Sequence, residues 1–398
     1  MQNVVVLEPY VPVPPRHGNW FPKLFSFILP WFLRKSYGIV DFKFVHLERV
    51  QASLRAGHGI LLMPNHCRDE DGLVMGRLSC ELRQWFYYMG SWHVFKMDPV
   101  KAFVLPRLGL FSVYREGADR AAVKTSVDIV ARARRPLVIF PEGFLGRTND
   151  RLNALMDGPG AIARAAARKR AHGKPPGQVV IHPVAIRYKV LGPLEPGVNP
   201  VLAEIEALLH LAPEPAVALR ERVERIAAAM LSCYELEYFG GPQTGTVEER
   251  RAALLQKILH QLEDEWGGVR YDEETVQARV RRLRIAIVPV LTQRKADDAE
   301  HQRLWRHLTS IYLAQQLDNY PPGYLDGEPT PERLLETIER FQEDLTDKVR
   351  PHVPLQATIT IGEAIVVSPA REARGVVIDP LLSEVERQLR TMLGLAKT

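Results

Sequence analysis

From residue 58 to residue 196 the chain alternates short apolar runs with helix-like segments, and that rhythm restricts the folds open to it. Residues 60–63, 85–89, 111–114, 137–140 and 179–186 each read as a strand, rich in Val, Ile, Leu and aromatic side chains. Between them, residues 119–134 and 160–171 read as helices. Strands joined through helices pair in parallel, because a crossover connection needs a dozen or more residues. The expectation is an α/β fold, a mostly parallel sheet flanked by helices. In such a sheet, reactive groups gather where strands end and loops begin. His66, Arg115 and Glu142 each follow one of these strands.

After about Pro196 the pattern changes to successive helices, at residues 201–211, 216–238, 247–266, 274–293, 298–317 and 331–349, separated by Gly, Pro and acidic turns. No fixed repeat period is evident, so a solenoid is not supported. Residues 357–367, ATITIGEAIVV, return to strand character, and a helix from 380 to about 395 closes the chain. The expected organisation is an N-terminal segment at 1–37, an α/β core at 38–196, a helical insertion at 197–352, and a strand and helix at 353–398 that complete the core. A separate C-terminal domain is the alternative, and it accommodates the late strand less well.

Charge divides the same way. Through Pro196 there are 28 Lys and Arg against 15 Asp and Glu, a balance of +13; the remainder has 24 against 32, or −8. The basic half suits an anionic partner such as a membrane surface, a nucleotide or a phosphate-bearing lipid. Its cations are scattered rather than striped along one helix, which argues against nucleic acid. Three cysteines (Cys67, Cys80 and Cys233) are too few for a disulfide framework and favour a reducing compartment. The first residues lack the basic start and apolar centre of a signal peptide. No apolar run reaches the roughly 18 residues of a membrane-spanning helix. Residues 20–35, WFPKLFSFILPWFLRK, combine aromatic and aliphatic side chains with cationic ends, a composition suited to the headgroup layer of a bilayer; a helix packed on the core is the plain alternative.

The densest chemistry lies in PNHCRDEDG, from Pro64 to Gly72. A neutral imidazole removes a proton from a hydroxyl when an acceptor fixes its other nitrogen. Asp71, five residues beyond His66, is placed to be that acceptor, with Asp69 and Glu70 as competitors. The pair would correspond to the base and its partner in a serine-hydrolase triad, the substrate's hydroxyl replacing the enzyme nucleophile. A metal cluster of His66, Asp69 and Asp71 lacks further His or Cys at ligand spacing, so no metal is expected. Cys67 as nucleophile is disfavoured because adjacent side chains usually point apart. A solvated surface loop is the remaining reading of this stretch taken alone.

Two later stretches alter that balance: GLFSVYR at Gly109–Arg115 and FPEG at Phe140–Gly143, followed by VIHPV around Pro183. NH-x4-D, G-x5-R, FPEG and an apolar strand with a proline, in this order, resemble the lysophospholipid and glycerol-phosphate acyltransferase family over about residues 40–190. The resemblance implies His66 as general base with Asp71 as its partner. It implies substrate contacts from Asn65, Gly109, Arg115, Glu142, Gly143 and Pro183, with Arg115 on an acceptor phosphate and Pro183 shaping the donor or product site. The bland readings pair Arg115 with Glu116 or Asp119 and make Pro183 a marker of a sheet edge.

The chain departs from the family where the third block usually continues Glu-Gly-Thr-Arg-Ser; here it reads EGFLGRTND. Phe144 and Leu145 occupy the threonine and arginine positions, and Arg147, two residues late, becomes the candidate for the second phosphate contact. The implied reaction moves an acyl group from acyl-CoA or acyl carrier protein to a lysolipid hydroxyl, with no cofactor beyond that co-substrate. The implied setting is cytoplasmic, peripheral on the inner face of an anionic membrane. Arg132, Arg134, Arg135 and the run 168–170 are candidates for headgroup or CoA-phosphate contacts, with solvated helix ends as the alternative. An idle lipid-binding or scaffolding relative and an esterase using the same base on water are the competing functions.

Overall fold

A computed structural model describes residues 8–173, 176–214, 216–293, 298–370 and 379–395. The chain divides into two compact units, one made by Tyr10–Leu191 with Pro354–Thr398, the other mainly by Gly192–Val353.

The first unit is an α/β fold. In chain order it comprises α1 (Trp20–Tyr37), β1 (Ile39–Val45), α2 (Leu47–Arg55), β2 (Gly59–Pro64), α3 (Asp71–Glu81), β3 (Tyr87–Ser91), α4 (Pro99–Arg107), β4 (Leu110–Val113), α5 (Arg120–Arg132), β5 (Leu137–Val138), α6 (Asp157–Ala171) and β6 (Val179–Val190). After the helical unit, β7 (Leu355–Ile361) and β8 (Ile365–Val366) return to the same sheet. The strand order is β1-β7-β6-β2-β5-β3-β4, with β8 also on β6. Pairing is parallel except where β6 meets β7 and β8. All six residues of β2 are buried, as expected of a strand covered on both faces. On one side Leu61, Met63 and Ile181 share a core with Val130 of α5, Ala163 of α6 and helical residues Val385 and Leu389 near the carboxyl end.

The mostly parallel sheet, its flanking helices and the helical insertion before the last strands follow the expectation. The differences lie at the sheet's margins. β1 was not foreseen, because its charged residues Asp41 and Lys43 break the apolar pattern, as is common on an edge strand. The late apolar run divides into two strands at Gly362–Ala364. Pro183 stands opposite this break, so it marks an irregularity in an interior strand and not the sheet edge.

Helix α1 accommodates two prolines. Pro22 lies in the first turn, where no backbone donor is required, and Pro30 lies further in. One face, with Leu29 and Leu33, is buried; Trp20, Phe27 and Trp31 on the other are 67%, 75% and 63% exposed. Exposed Val100 and Phe103 on α4 extend this surface, since the Phe103 ring meets Phe21 edge-on at 6.3 Å. Lys23, Arg34 and Lys35 are exposed on the same helix. Among the described residues, no helix is long and apolar enough to cross a membrane.

The second unit contains α7 (Glu195–Leu208), α8 (Leu219–Phe239), α9 (Val247–Trp266), α10 (Val276–Gln293), α11 (Asp298–Asp318) and α12 (Pro331–Thr346). A core of Leu254, Ile258, Leu283, Ile287, Leu304 and Leu308 joins three of them. Here the structure adds a regularity to a stretch whose sequence shows no fixed repeat period. A buried glutamate late in one helix pairs with an arginine early in the next: Glu206–Arg222 at 2.8 Å, Glu235–Arg250 at 2.7 Å and Glu263–Arg279 at 2.7 Å. Successive pairs are 28 or 29 residues apart. The repeat escaped the sequence because it is carried by two charged positions per helix pair, among apolar positions that vary freely. The final helix, α13 (Pro380–Leu393), belongs to the sheet unit and is capped by Asp379.

Candidate active site

Three parallel strands, β2, β4 and β5, end on the same margin of the sheet and deliver His66, Arg115 and Glu142 to the loops beyond. The peptide at His66 is held on both sides by the loop after β5. Its N–H donates to Glu142 Oε1 at 2.7 Å, and its carbonyl accepts from Gly146 N at 2.7 Å. The imidazole stacks on Phe140 with ring centroids 4.2 Å apart. Its side chain remains 23% exposed.

His66 Nδ1 lies 2.9 Å from Asp71 Oδ2. An ionised carboxylate only accepts, so Nδ1 carries the proton and Nε2 is left with its lone pair. Asp71 is fully buried, at the first turn of α3, where the helix dipole favours a negative charge. Oδ2 also accepts from Cys67 N at 2.7 Å and Arg68 N at 2.9 Å. Oδ1 accepts from Tyr188 Oη at 2.6 Å. The competing carboxylates are disposed differently: Asp69 is exposed, and Glu70 is buried with Arg68 Nε 2.7 Å from its Oε1. Cys67 is buried, with Sγ 3.9 Å from Asp71 Oδ1; a carboxylate neighbour disfavours the thiolate a nucleophile needs.

Several expected contact residues turn inward. Glu142 Oε2 accepts from Asn153 N at 2.9 Å and Nδ2 at 2.7 Å, so both oxygens serve the protein rather than a ligand. Burial pushes the Glu142 carboxyl above its ordinary range, while these donors pull it back. Asn65 is also occupied: Oδ1 accepts from Ile186 N at 2.7 Å, and Nδ2 donates to Ile186 O at 3.0 Å. β2 stops at Pro64 while β6 runs on, and the Asn65 amide acts as a substitute strand for it. Asn149 does the same one step further, accepting from Tyr188 N at 2.9 Å and donating to Tyr188 O at 2.8 Å.

Gly109, at φ +96°, brings the chain so close that a Cβ would stand 2.7 Å from Phe86 O. Arg115 donates to Gly143 O at 2.8 Å, which ties the second block to the third. Asp119 caps α5 through Ala122 N at 2.9 Å and accepts from Tyr10 Oη at 2.6 Å. Arg147 is partly buried in the left-handed region, next to the Gly146 that binds His66. Pro183 O accepts from Gly362 N at 2.7 Å. Of the more distant cations, Arg135 Nη2 donates to His17 O at 2.9 Å, and Arg170 Nη1 donates to Ala131 O at 2.9 Å; both tie segments together.

Phe140, Asn149, Asn153 and Tyr188 complete the site without having been singled out. The signal for Tyr188 was available: the tail of β6, from Ile186 to Val190, alternates buried and exposed positions, with Ile186, Tyr188 and Val190 inward.

These features define an α/β domain whose reactive side chains stand at the carboxyl ends of parallel strands. Residues 42–187 match the family model described as Acyltransferase, and acyl transfer is the general activity that this match supports. No curated protein matches the chain.

Proposed function

We propose that this protein transfers a fatty acyl group from a thioester, acyl-CoA or acyl carrier protein, to the hydroxyl of a lysophospholipid or glycerol-phosphate-type acceptor. The observation that carries the reading is the His66–Asp71 pair: Nδ1 is committed to a buried carboxylate, and the ring is partly exposed. In the reaction, Nε2 of His66 takes the proton of the acceptor hydroxyl as its oxygen attacks the thioester carbonyl. The carbon–sulfur bond then breaks, and the departing thiolate receives the proton from His66. Asp71 stabilises the imidazolium that exists between those two events. No acyl-enzyme is needed. Arg115, with Arg147 from the third block, supplies guanidinium charge for the acceptor's phosphate.

The exposed aromatic face of α1, bordered by Lys23, Arg34 and Lys35, supports peripheral attachment to an anionic bilayer on the cytoplasmic side, where such acceptors reside. The test offers purified protein several acyl thioesters with a panel of lysolipids and identifies the products by mass. A new ester is expected, and His66→Ala should lower its formation by about 10²–10⁴. Undiminished turnover by that variant would rule out the base. Release of free fatty acid without ester would make the protein a hydrolase.

A further inference from the structure

Tyr188 lies outside every motif that marks the site, yet it supplies the one O–H donor to Asp71 among the described residues. We infer that Tyr188 is a positioning residue for the His66–Asp71 pair, fixing the plane of the carboxylate and tempering its pull on the imidazole. The inference rests on His66 as general base and deepens that reading.

The two oxygens of Asp71 have separate duties. Oδ2 serves His66 and the peptides of Cys67 and Arg68, all on one side. Oδ1 faces Tyr188 Oη at 2.6 Å, with Cys67 Sγ as its other neighbour at 3.9 Å. Without the phenol, Oδ1 keeps only the distant thiol, and the carboxylate is held through Oδ2 alone. The phenol is itself immobilised. Asn149 grips both the N–H and the C=O of Tyr188, Asn65 does the same for Ile186, and the Arg68 guanidinium lies 5.3 Å from the centre of the phenol ring. Burial, with the charge of Asp71 beside it, holds the hydroxyl far above its ordinary value of 10, so it stays protonated and continues to donate. The other charged groups around the pair are Arg68, Glu70 and Glu142, and each has a protein partner of its own. Removing the phenol O–H would leave more of the carboxylate's charge for the imidazolium, making His66 harder to deprotonate and less well aimed.

Tyr188→Phe deletes that O–H and keeps the ring. The ring resonances of His66, followed by NMR against pH, should show the titration midpoint move upward by about half a unit relative to wild type, a fraction of the effect of one hydrogen bond to a charged group. In acyl transfer, kcat should fall by roughly tenfold with KM little changed, because orientation and not binding is impaired. An unmoved midpoint in the folded variant overturns the inference. Should the variant not fold, 3,5-difluorotyrosine at position 188 keeps the shape and donates more strongly; the midpoint should then move downward, and no movement overturns the inference equally. The NMR measurement requires no turnover. A moved midpoint together with full activity in His66→Ala would therefore sink the acyl-transfer reading while leaving the linkage between Tyr188 and His66 intact.

Discussion

Glu70 sits one residue before Asp71, fully enclosed, and its carboxyl is pushed up from 4.5 to about 7. Burial is the main cause; the Arg68 charge opposes it, and the neighbouring Asp71 charge adds to it. An acid whose folded value exceeds its unfolded one binds more protons in the native state between the two values. Its contribution to stability is therefore complete below about pH 4.5 and declines as pH rises through about 7. Glu70→Gln keeps the shape and cannot ionise. Its melting temperature relative to wild type should be several degrees better at pH 8 than at pH 5. Equal offsets at the two pH values would mean that Glu70 ionises in the fold as readily as in water. Two acids one residue apart thus have opposite surroundings. Asp71 is met by three N–H or O–H donors besides the imidazole, while Glu70 has Arg68 and its own backbone N–H against the cost of burial.

At the scale of the element, β6 outruns β2, and two asparagine amides take over where the neighbouring strand stops. Asn149→Ala leaves the buried N–H and C=O of Tyr188 without partners, so the variant should lose about 2 kcal/mol or more of stability, read from denaturant unfolding. A loss below about 0.5 kcal/mol would mean that water replaces the amide. Helix α1 makes a separate prediction. Phe27→Glu with Trp31→Glu alters side chains that are already exposed, so the fold should persist while binding to anionic vesicles in cosedimentation falls by tenfold or more, on the order of the apolar area withdrawn. Unchanged binding would assign that surface to something other than lipid.

Elements also explain how far the sequence could be read. His66, Arg115 and Glu142 were visible because each follows a strand, and strand ends are set by apolar periodicity; Asp71 was visible from its spacing to His66. The inward duty of Asn65 and Glu142 was not visible, because it depends on β6 passing beyond β2 and on the loop at 142–153 folding back. Neither relation is local. β1 escaped for another reason: as an edge strand it faces water, and with Asp41 and Lys43 exposed it offers no continuous apolar run.

For the whole molecule, the telling fact is where the helical unit joins the sheet. β6 and β7 are antiparallel neighbours, Val190 opposite Leu355, with Leu191 N donating to Pro354 O at 2.9 Å. Gly192–Val353 thus occupy the place of a hairpin turn. Replacing them with Asn-Gly, the commonest two-residue hairpin connection, should leave a sheet unit that unfolds cooperatively, as measured by calorimetry. Loss of any cooperative transition would show that the sheet depends on the helices. The mostly parallel sheet and the late return to it were both foreseen from the alternation of strands and helices. The ladder of Glu–Arg pairs was not, since it is written in two positions per helix pair.

The chain leaves the sheet three residues after Tyr188. Trimming or lengthening that exit shifts the anchorage of β6 beside the phenol. An edit at the root of the helices, though it touches no residue of the His66–Asp71 pair, thus acts on the strand that carries the phenol.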